Sequence, residues 1–472
     1  MRSGTGVSPR PRGLRPALVT LAATMGMLLA FAAPANAEDD ALPIVFVHGG
    51  SGSAAQYQTE AMRWASNDYP NLVTGIDRIT SNSAQLNPIL DEFFDDVMAQ
   101  TGDDQIYVVG HSLGVALMNN YLDSSPERTA RVAKYIGLDS ASAGQVPVCP
   151  GTPDPVPCRG IYRDENANLF LGDDNVYLPE GHVEIASSPD SFAHQYEFFT
   201  GDEPKTTLVL PEPPGQVTVG GKLIDFPANT GIDGSTLRIF QVDPATGARQ
   251  TLKASLELDE SGEFGPVKLN GNHPHEFETS RGPDSELTGH IYAQPFTRDN
   301  HMVRLLTAPP GSPSTVFTNA SANHSAAVVL RNKEWWSSHP SGQNDTLAIT
   351  TESPSKGTEA VGNALTPATG NGSVGIHIHD DAATPQQSTL NLLPVIPLFP
   401  FQTGVDVFMP ATDPPDGVIS FDNAPRGDSG NPQVLNVPNW ASDEHRLGVY
   451  FNDYAQDINS WGECKKAKPS PC

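Results

Sequence analysis

Residues 43–200 alternate short apolar runs with longer amphipathic runs, and this alternation restricts the fold more than any other feature of the chain. Ile44 to Val47 and Ile106 to Val109 are wholly apolar, as buried strands are. Gln56 to Asn67 and Asn87 to Gln100 have the apolar spacing of helices. Strands that alternate with helices are typical of a parallel sheet with crossover helices. The pattern predicts an α/β domain over residues 38–205.

Helical periodicity does not return after Lys205. Short alternating runs such as Thr236 to Val242 are separated by turn residues, and the chain has 42 glycines and 43 prolines. This part is predicted to be all-β, with sandwich or barrel modules over residues 206–310 and 311–472. The Pro-rich stretch between them indicates a hinge, and a single larger β domain remains the alternative.

The first 37 residues have the pattern of an export signal. Basic residues precede an almost wholly apolar run from Ala17 to Ala33, and Ala35 and Ala37 place small residues at a cleavage site. We expect a secreted, extracellular protein that begins at Glu38. A membrane anchor is the alternative for this segment. No other segment has the roughly 18 consecutive apolar residues of a transmembrane helix.

The charge balance argues against a nucleic-acid partner. The chain has 28 basic and 55 acidic residues, a formal net charge of −27. A surface this acidic repels the phosphate backbone.

Four cysteines in an exported chain predict two disulfides. More than one connectivity is open. We predict the local pairs Cys149 with Cys158 and Cys464 with Cys472, because each closes a short loop.

The segment Gly110 to Gly114 has the spacing G-x-S-x-G, with Ser112 at its centre. A predicted strand runs into it and a predicted helix leaves it, which is the setting of a nucleophile elbow. The flanking glycines are needed because neighbouring side chains would collide in so sharp a turn. Ser112 is therefore the candidate nucleophile, and a small residue in a tight turn is the structural alternative.

A nucleophilic serine needs an imidazole to take its proton and a carboxylate to orient that imidazole. In a fold of this type the chain order is Ser, acid, His. Asp139 directly follows the predicted strand Tyr135 to Leu138 and therefore lies on the rim of the elbow. Asp139 is the predicted acid, and Asp173 and Asp174 are its alternatives.

His182 is the predicted base because it follows the strand-like run Asn175 to Leu178 in a turn. His194 is its rival, but it falls inside a predicted helix. His111 adjoins the nucleophile, and its side chain is expected to point away from the serine oxygen as structural support.

The oxyanion that forms on attack needs backbone N–H donors. One is expected from Leu113, the residue after the nucleophile, and the second from Gly50 in the glycine-rich turn His48 to Gly52. A phosphate-binding turn is the alternative for this loop, but the lysine and spacing of a P-loop are missing.

From Pro43 to Tyr454 the chain resembles the secreted two-part lipases and carboxylesterases of archaeal and actinobacterial type. The matching stretches are VFVHGGSGSAAQY, VVGHSLG, SSPERTARVA, IGLD, NVYLPEGHVEIASSPDSF, YEFFTG, QPFTRDNHMVRLL and VPNWASDEHRLGVYFNDY. The resemblance implies a small α/β-hydrolase domain followed by a β region that helps to hold lipid substrates. It also implies that Ser112, Asp139 and His182 are the catalytic triad and that Gly50 and Leu113 are the oxyanion donors. We predict no cofactor.

Lipases of this kind usually carry a helical lid between the first strand and the nucleophile. Only 64 residues separate Val47 from Ser112, and the ordinary helices and strands use nearly all of them. A large lid is therefore not expected there, which is compatible with a more open esterase. The Cys149 to Cys158 loop is a candidate rim of the acyl pocket.

The β region holds weaker signals. Leu392 to Phe401 is apolar with proline at every third position, as in an extended polyproline-like segment. It is read as a covered loop of the β core, with a lipid-contact ridge as the alternative. Trp335 and Trp336 are further candidates for binding a polymer or a lipid, although one of the two is expected to lie in the core. Ser353 to Ser373 is predicted to be a long surface loop.

His377 and His379 share a strand face, and Asp380 and Asp381 follow them. Such residues can ligate a metal, but without a third His or nearby Cys ligands we predict no metal site.

Together these features predict a secreted serine ester hydrolase that cleaves acyl esters, with lipids as the leading substrates. An extracellular polyester depolymerase is the near alternative, since appended β modules also serve solid substrates. A non-catalytic binding or adhesion protein on a hydrolase scaffold is the alternative of another class.

Overall fold

The computed structural model describes residues 41–140, 148–163, 171–282, 285, 287–426, 430 and 432–454. The predicted signal peptide over residues 1–37 and the predicted Cys464 to Cys472 bridge lie outside these residues.

The α/β part is built on a parallel sheet. Within the described residues the sheet has six strands in the order β2-β1-β3-β4-β5-β6. The strands are β1 (Ile44–Val47), β2 (Val73–Ile76), β3 (Ile106–His111), β4 (Val132–Leu138), β5 (Cys158–Tyr162) and β6 (Asn175–Tyr177). The helices are α1 (Gln58–Ser66), α2 (Ser83–Thr101), α3 (Leu113–Leu122), α4 (Pro126–Ala130) and α5 (Pro189–Thr200).

Helices cover both faces of this sheet. Leu90 and Phe94 of α2 pack with Val45 on one face. Trp64 of α1 and Phe192 of α5 pack with the other face. Because both faces are buried, β1 is apolar at every position instead of alternating. The predicted α/β fold is confirmed.

The short connections leave room for no large insertion before the elbow. Residues 48–111 are occupied by a 3-10 helix (Ala54–Tyr57), α1, β2, α2 and β3 with brief loops between them. Cys149 and Cys158 form a disulfide with a Cα–Cα distance of 5.7 Å. The bridge closes the start of β5 onto the loop after β4.

The chain after residue 205 is mostly β, as predicted. Its strands are β7 (Thr218–Asp225), β8 (Thr230–Gly231), β9 (Thr236–Val242), β10 (Arg249–Glu257), β11 (Glu263–Lys268), β12 (His275–Ser280), β13 (Thr288–Ala293), β14 (Asn300–Thr307), β15 (Ala327–Trp336), β16 (Thr346–Ser353), β17 (Gly357–Asn363), β18 (Asn371–His379), β19 (Gln402–Asp406), β20 (Val418–Ala424), β21 (Gln433–Pro438) and β22 (His445–Tyr450). One short helix, α6 (Pro313–Val316), and a 3-10 helix (Ile396–Leu398) interrupt them.

These strands form three sheets in the described part of the chain. The largest has the order β10-β9-β12-β13-β22-β15-β18-β19. The others are β11-β7-β14, with β8 paired to β7, and β17-β16-β20-β21. The last strand, β22, pairs in parallel with both β13 and β15 and so joins strands from both predicted β modules. The domain boundaries at residues 205 and 310 stay predictions.

One predicted loop is wrong. The stretch from Ser353 to Ser373 contains β17 and the start of β18. Residues of β17 are almost all exposed, so this strand at the sheet edge has no apolar alternation that would reveal it.

The β region packs directly against the α/β part. Arg304 of β14 forms a bidentate ion pair with Asp77 at 2.6 and 3.0 Å, and both side chains are buried. Thr59 of α1 donates to Asp453 at 2.7 Å. No helix within the described ranges combines the length and apolar character that a membrane crossing requires.

Candidate active site

Ser112 lies in a strained turn between β3 and α3. Its φ of 53° and ψ of −118° are outside the usual regions for a side chain with a Cβ. Neighbouring glycines make the turn possible. A Cβ at Gly49 would lie 2.8 Å from the Cβ of Ser112, and one at Gly114 would overlap the carbonyl oxygen of Val47. The elbow that the sequence predicts is therefore present.

His182 lies between Ser112 and Asp139. Its Nε2 is 3.0 Å from Ser112 Oγ, and its Nδ1 donates to Asp139 Oδ2. In this tautomer Nε2 has the lone pair that accepts the serine proton. The structure brings these three predicted site residues into one hydrogen-bonded chain.

Strand order explains how they meet. Asp139 directly follows β4 and His182 follows β6, so both lie at the carboxyl edge of the sheet where the elbow also lies. The alternative acid and the alternative base make other contacts. Asp174 pairs with Arg159 at 2.8 Å, and His194 is within α5.

Asp139 has a second partner. It is buried, with 2% exposure, and its Oδ2 also accepts from Arg163 Nε at 3.0 Å. Arg163 directly follows β5, on the same edge of the sheet. Sequence reasoning missed it because β5 was not predicted, although the rule that placed Asp139 would have placed Arg163 as well.

The predicted oxyanion donors are neighbours. Leu113 is the first residue of α3, so its N–H has no helical acceptor. A Cβ built at Gly50 would lie 3.6 Å from Leu113 Cδ2. The glycine-rich turn is held by His48, whose ring nitrogens lie 2.7 Å from the carbonyl oxygens of Gly49 and Asp77. Gly50 and Leu113 therefore lie close together, and their role as oxyanion donors stays a prediction.

His111 contacts the backbone of the candidate base. Burial lowers the pKa of His111 to about 3, so its ring is neutral and has one N–H. Gln56 Nε2 donates to its Nδ1 at 3.0 Å, and its Nε2 donates to the carbonyl oxygen of His182 at 2.7 Å. These two bonds occupy both ring nitrogens, and His111 thereby holds the loop that carries His182.

The β region contributes side chains to this site. Phe401 stacks on the imidazole of His182, with a centroid distance of 5.6 Å and an interplanar angle of 14°. Glu334 accepts the backbone N–H groups of Val183 and Glu184 at 2.6 and 2.9 Å. Neither residue was predicted, because each lies more than 100 residues from His182 in a part of the chain with no catalytic motif.

Ser112 opens into two clefts. The first has a volume of about 940 Å³ and mostly apolar walls, with Gly50 and His182 on one side and Leu330, Phe401 and Leu447 among the β-region residues on the other. The second, of about 1190 Å³, has more polar surroundings that include Arg163, Lys333 and His339. The site therefore has one mostly apolar approach and a second approach lined largely by polar and charged residues.

The apolar segment from Leu392 to Phe401 is partly covered. Leu393 and Ile396 are buried, whereas Leu398 is 80% exposed and Leu392 is 41% exposed. The prediction of an extended polyproline-like conformation is wrong, because residues 396–398 form a 3-10 helix. Trp335 is buried in the core, as expected for one of the two tryptophans.

Candidate metal ligands in the His377 to Asp381 stretch form hydrogen bonds with nearby residues. His377 Nε2 lies 2.9 Å from Gln402 Oε1, and Asp380 accepts the N–H of Gln386 at 2.9 Å. Among the described residues, two other groups of three side chains have the spacing of metal ligands. They are Glu276, Glu278 and His290, and Asp413, Glu444 and His445.

Two family models match parts of the β region. The family model of the lipase C-terminal domain matches residues 215–310, and a second model of a C-terminal domain matches residues 315–455. No curated protein matches the chain.

Matches among solved structures include three bacterial proteins. A Listeria innocua gene product is 13% identical, with a TM-score of 0.28 over 36% of this chain and 97% of its own. Epoxide hydrolase A from Mycobacterium thermoresistibile is 19% identical, with a TM-score of 0.19 over 24% of this chain and 35% of its own. A Bacillus licheniformis lipase in propeptide form is 10% identical, with a TM-score of 0.25 over 86% of this chain and 94% of its own. The parallel sheet with its elbow and the match to the lipase C-terminal domain together support an α/β-hydrolase.

Proposed function

We propose that the protein is a secreted serine carboxylic ester hydrolase of the lipase or carboxylesterase type. The observation that carries the proposal is the hydrogen-bonded chain from Ser112 through His182 to Asp139 at a strained elbow. A serine, an imidazole and a buried carboxylate in this order are the groups that acyl transfer requires.

Acylation begins when Ser112 Oγ attacks the ester carbonyl carbon and His182 Nε2 takes the serine proton. The N–H groups of Gly50 and Leu113 stabilise the oxyanion. His182 then gives the proton to the leaving alcohol, and the C–O bond of the substrate breaks. Water attacks the resulting acyl-serine with His182 as the base, which releases the acid and restores Ser112.

The two clefts support a lipid ester as substrate. The apolar cleft suits an acyl chain, because burying each CH2 group contributes about 0.8 kcal/mol. The polar cleft is then the exit for the alcohol. Exposed Leu398 and Leu392 are candidate contacts with a lipid surface.

Secretion is part of the proposal and rests on the export pattern over residues 1–37. Expression of the full chain with its own leader, followed by N-terminal sequencing of protein from the medium, is expected to give Glu38 as the first residue.

The activity test compares a soluble short-chain ester with a long-chain triglyceride emulsion for wild type and Ser112→Ala. Loss of both activities in the variant is expected, because no other group supplies the nucleophile. Ser261→Ala is the matched control, since Ser261 lies in the turn between β10 and β11 and lines neither cleft. The ratio of the two wild-type rates separates a lipase from an esterase.

Two results would contradict the proposal. If wild type hydrolyses neither ester and a serine-reactive phosphonate fails to label Ser112, a binding or adhesion protein is favoured. If soluble monomer is released from a polyester film while both lipid-type esters stay intact, the substrate is a polyester.

A further inference from the structure

The peptide unit that follows the candidate base is held from both sides. Its carbonyl oxygen, on His182, accepts from His111 Nε2 at 2.7 Å. Its N–H, on Val183, donates to Glu334 Oε1 at 2.6 Å. His111 belongs to β3 of the α/β part and Glu334 to β15 of the β region. One peptide plane therefore joins the two parts of the molecule directly beside His182.

Glu334 fits this position closely. Its other oxygen accepts the N–H of Glu184 at 2.9 Å, so both carboxylate oxygens have a backbone donor. The residue is 2% exposed. A Cβ at Gly181 would overlap Glu334 Oε2, so the glycine before His182 is what lets the carboxylate approach.

Glu334 itself is held in place. Arg426 Nη1 donates to the carbonyl oxygen of Glu334 at 2.8 Å, and another Arg426 nitrogen pairs with Glu184. Asp345 pairs with Arg426 at 3.1 Å and with Arg331 at 2.7 Å. The loop that carries His182 is thus tied to β15 by a buried and mutually paired set of charges.

We infer that Glu334 is a positioning residue for His182 and that the β region completes the active site by holding the base. The inference rests on the proposed function. Glu334 lines neither of the two clefts described, so it acts on the reaction only through the peptide that it holds.

The size of the expected effect follows from the geometry of proton transfer. His182 must keep Nε2 within hydrogen-bond reach of Ser112 while Nδ1 stays on Asp139. Removing the carboxylate leaves the buried N–H of Val183 and the half-buried N–H of Glu184 without this acceptor, and the loop will move to satisfy them. A shift of about 1 Å at a catalytic group costs on the order of 100-fold in rate.

The experiment uses the full chain and a soluble short-chain ester. Glu334→Ala is expected to lower kcat about 100-fold with KM nearly unchanged. Glu334→Gln keeps one oxygen acceptor but places an amide NH2 against a backbone donor, so it should recover part of kcat. Asp453→Ala is the matched control, because Asp453 is also a buried carboxylate of the β region that accepts from the α/β part.

The thermal unfolding midpoint of every variant is measured first, and kcat is then assayed at a temperature where all variants are folded. A general loss of stability would lower kcat equally in Glu334→Ala and Asp453→Ala, and that result would overturn the inference. Retention of kcat within about 3-fold in both Glu334 variants would also overturn it. Failure of the proposed function is a different result, since wild type would then lack ester hydrolysis altogether.

Discussion

At the residue scale, the sequence predicted that Asp139 and His182 lie beside Ser112, but it did not predict the residues that contact them. Asp139 and His182 could be located because each follows a strand of a parallel sheet, and the carboxyl ends of such strands share one edge. Glu334 lies 150 residues from Glu184, whose N–H it accepts. No local pattern distinguishes it from any other acid in a β strand.

The role of Asp139 gives the residue-scale prediction. Asp139→Asn replaces the acceptor for His182 Nδ1–H with an amide that can hold the wrong tautomer, so kcat should fall by about 10⁴. Asp174→Asn is the control, because Asp174 pairs with Arg159 at the surface. Steady-state hydrolysis of a soluble ester measures both. Equal activity of the two variants would mean that the acid is misassigned.

At the element scale, predictability followed the apolar pattern of each element. Strands buried on both faces, such as β1 and β3, and the helix α3 were predicted to within a few residues. The strand β5 was missed because it is short, contains Gly160 and follows a proline-rich loop. The strand β17 was missed because its exposed residues have no apolar alternation. An exposed strand at a sheet edge is stabilised by backbone hydrogen bonds to the neighbouring strand, and these leave no pattern in its side chains.

The packing of α3 on β1 gives the element-scale prediction. Helix propensity alone favours Ala over Gly at position 114 by up to about 1 kcal/mol. The structure predicts the opposite sign, because a Cβ there would overlap the carbonyl oxygen of Val47 and lie 2.7 Å from that of His48. Gly114→Ala should therefore lower the free energy of unfolding by about 2 kcal/mol and lower kcat.

The control for this variant is Gly215→Ala, since no atom lies within 4 Å of a Cβ built at Gly215. Denaturant unfolding compares the two. A Gly114→Ala protein as stable as wild type would show that α3 can move away from β1 without cost.

At the scale of the whole molecule, the α/β part and the β region pack against each other through buried contacts. The buried pair of Arg304 with Asp77 and the contacts of Glu334 with the His182 loop cross from one part to the other. The resemblance noted in the sequence implies a β region that holds lipid. Because the β region contacts the loop of His182, we infer that it has a second role, which is to position the base. Two modules joined by a hinge would position the base less precisely.

Buried histidines make the stability of the protein depend on pH. Burial lowers the pKa of His275 to about 3, that of His111 to about 3 and that of His379 to about 4. The unfolded chain binds these protons near pH 6.5. Between pH 6.5 and 4 the unfolded state therefore binds more protons, and each such histidine lowers the free energy of unfolding by up to about 1.4 kcal/mol per pH unit as the pH falls.

The variant His275→Gln isolates one of these contributions. A buried acid whose pKa is raised by burial, such as Glu180, changes the free energy of unfolding in the opposite direction as the pH falls. The pH dependence of the free energy of unfolding of wild type therefore contains contributions from several groups. The difference between wild type and variant depends on His275 alone. His275 is fully buried on β12, remote in sequence from the candidate site. Denaturant unfolding at pH 6.5, 5.5 and 4.5 should show that the free energy of unfolding of wild type falls by up to about 1.4 kcal/mol per pH unit more than that of the variant. Parallel curves would mean that His275 gains its proton in the folded state without cost, and that burial alone does not keep it neutral.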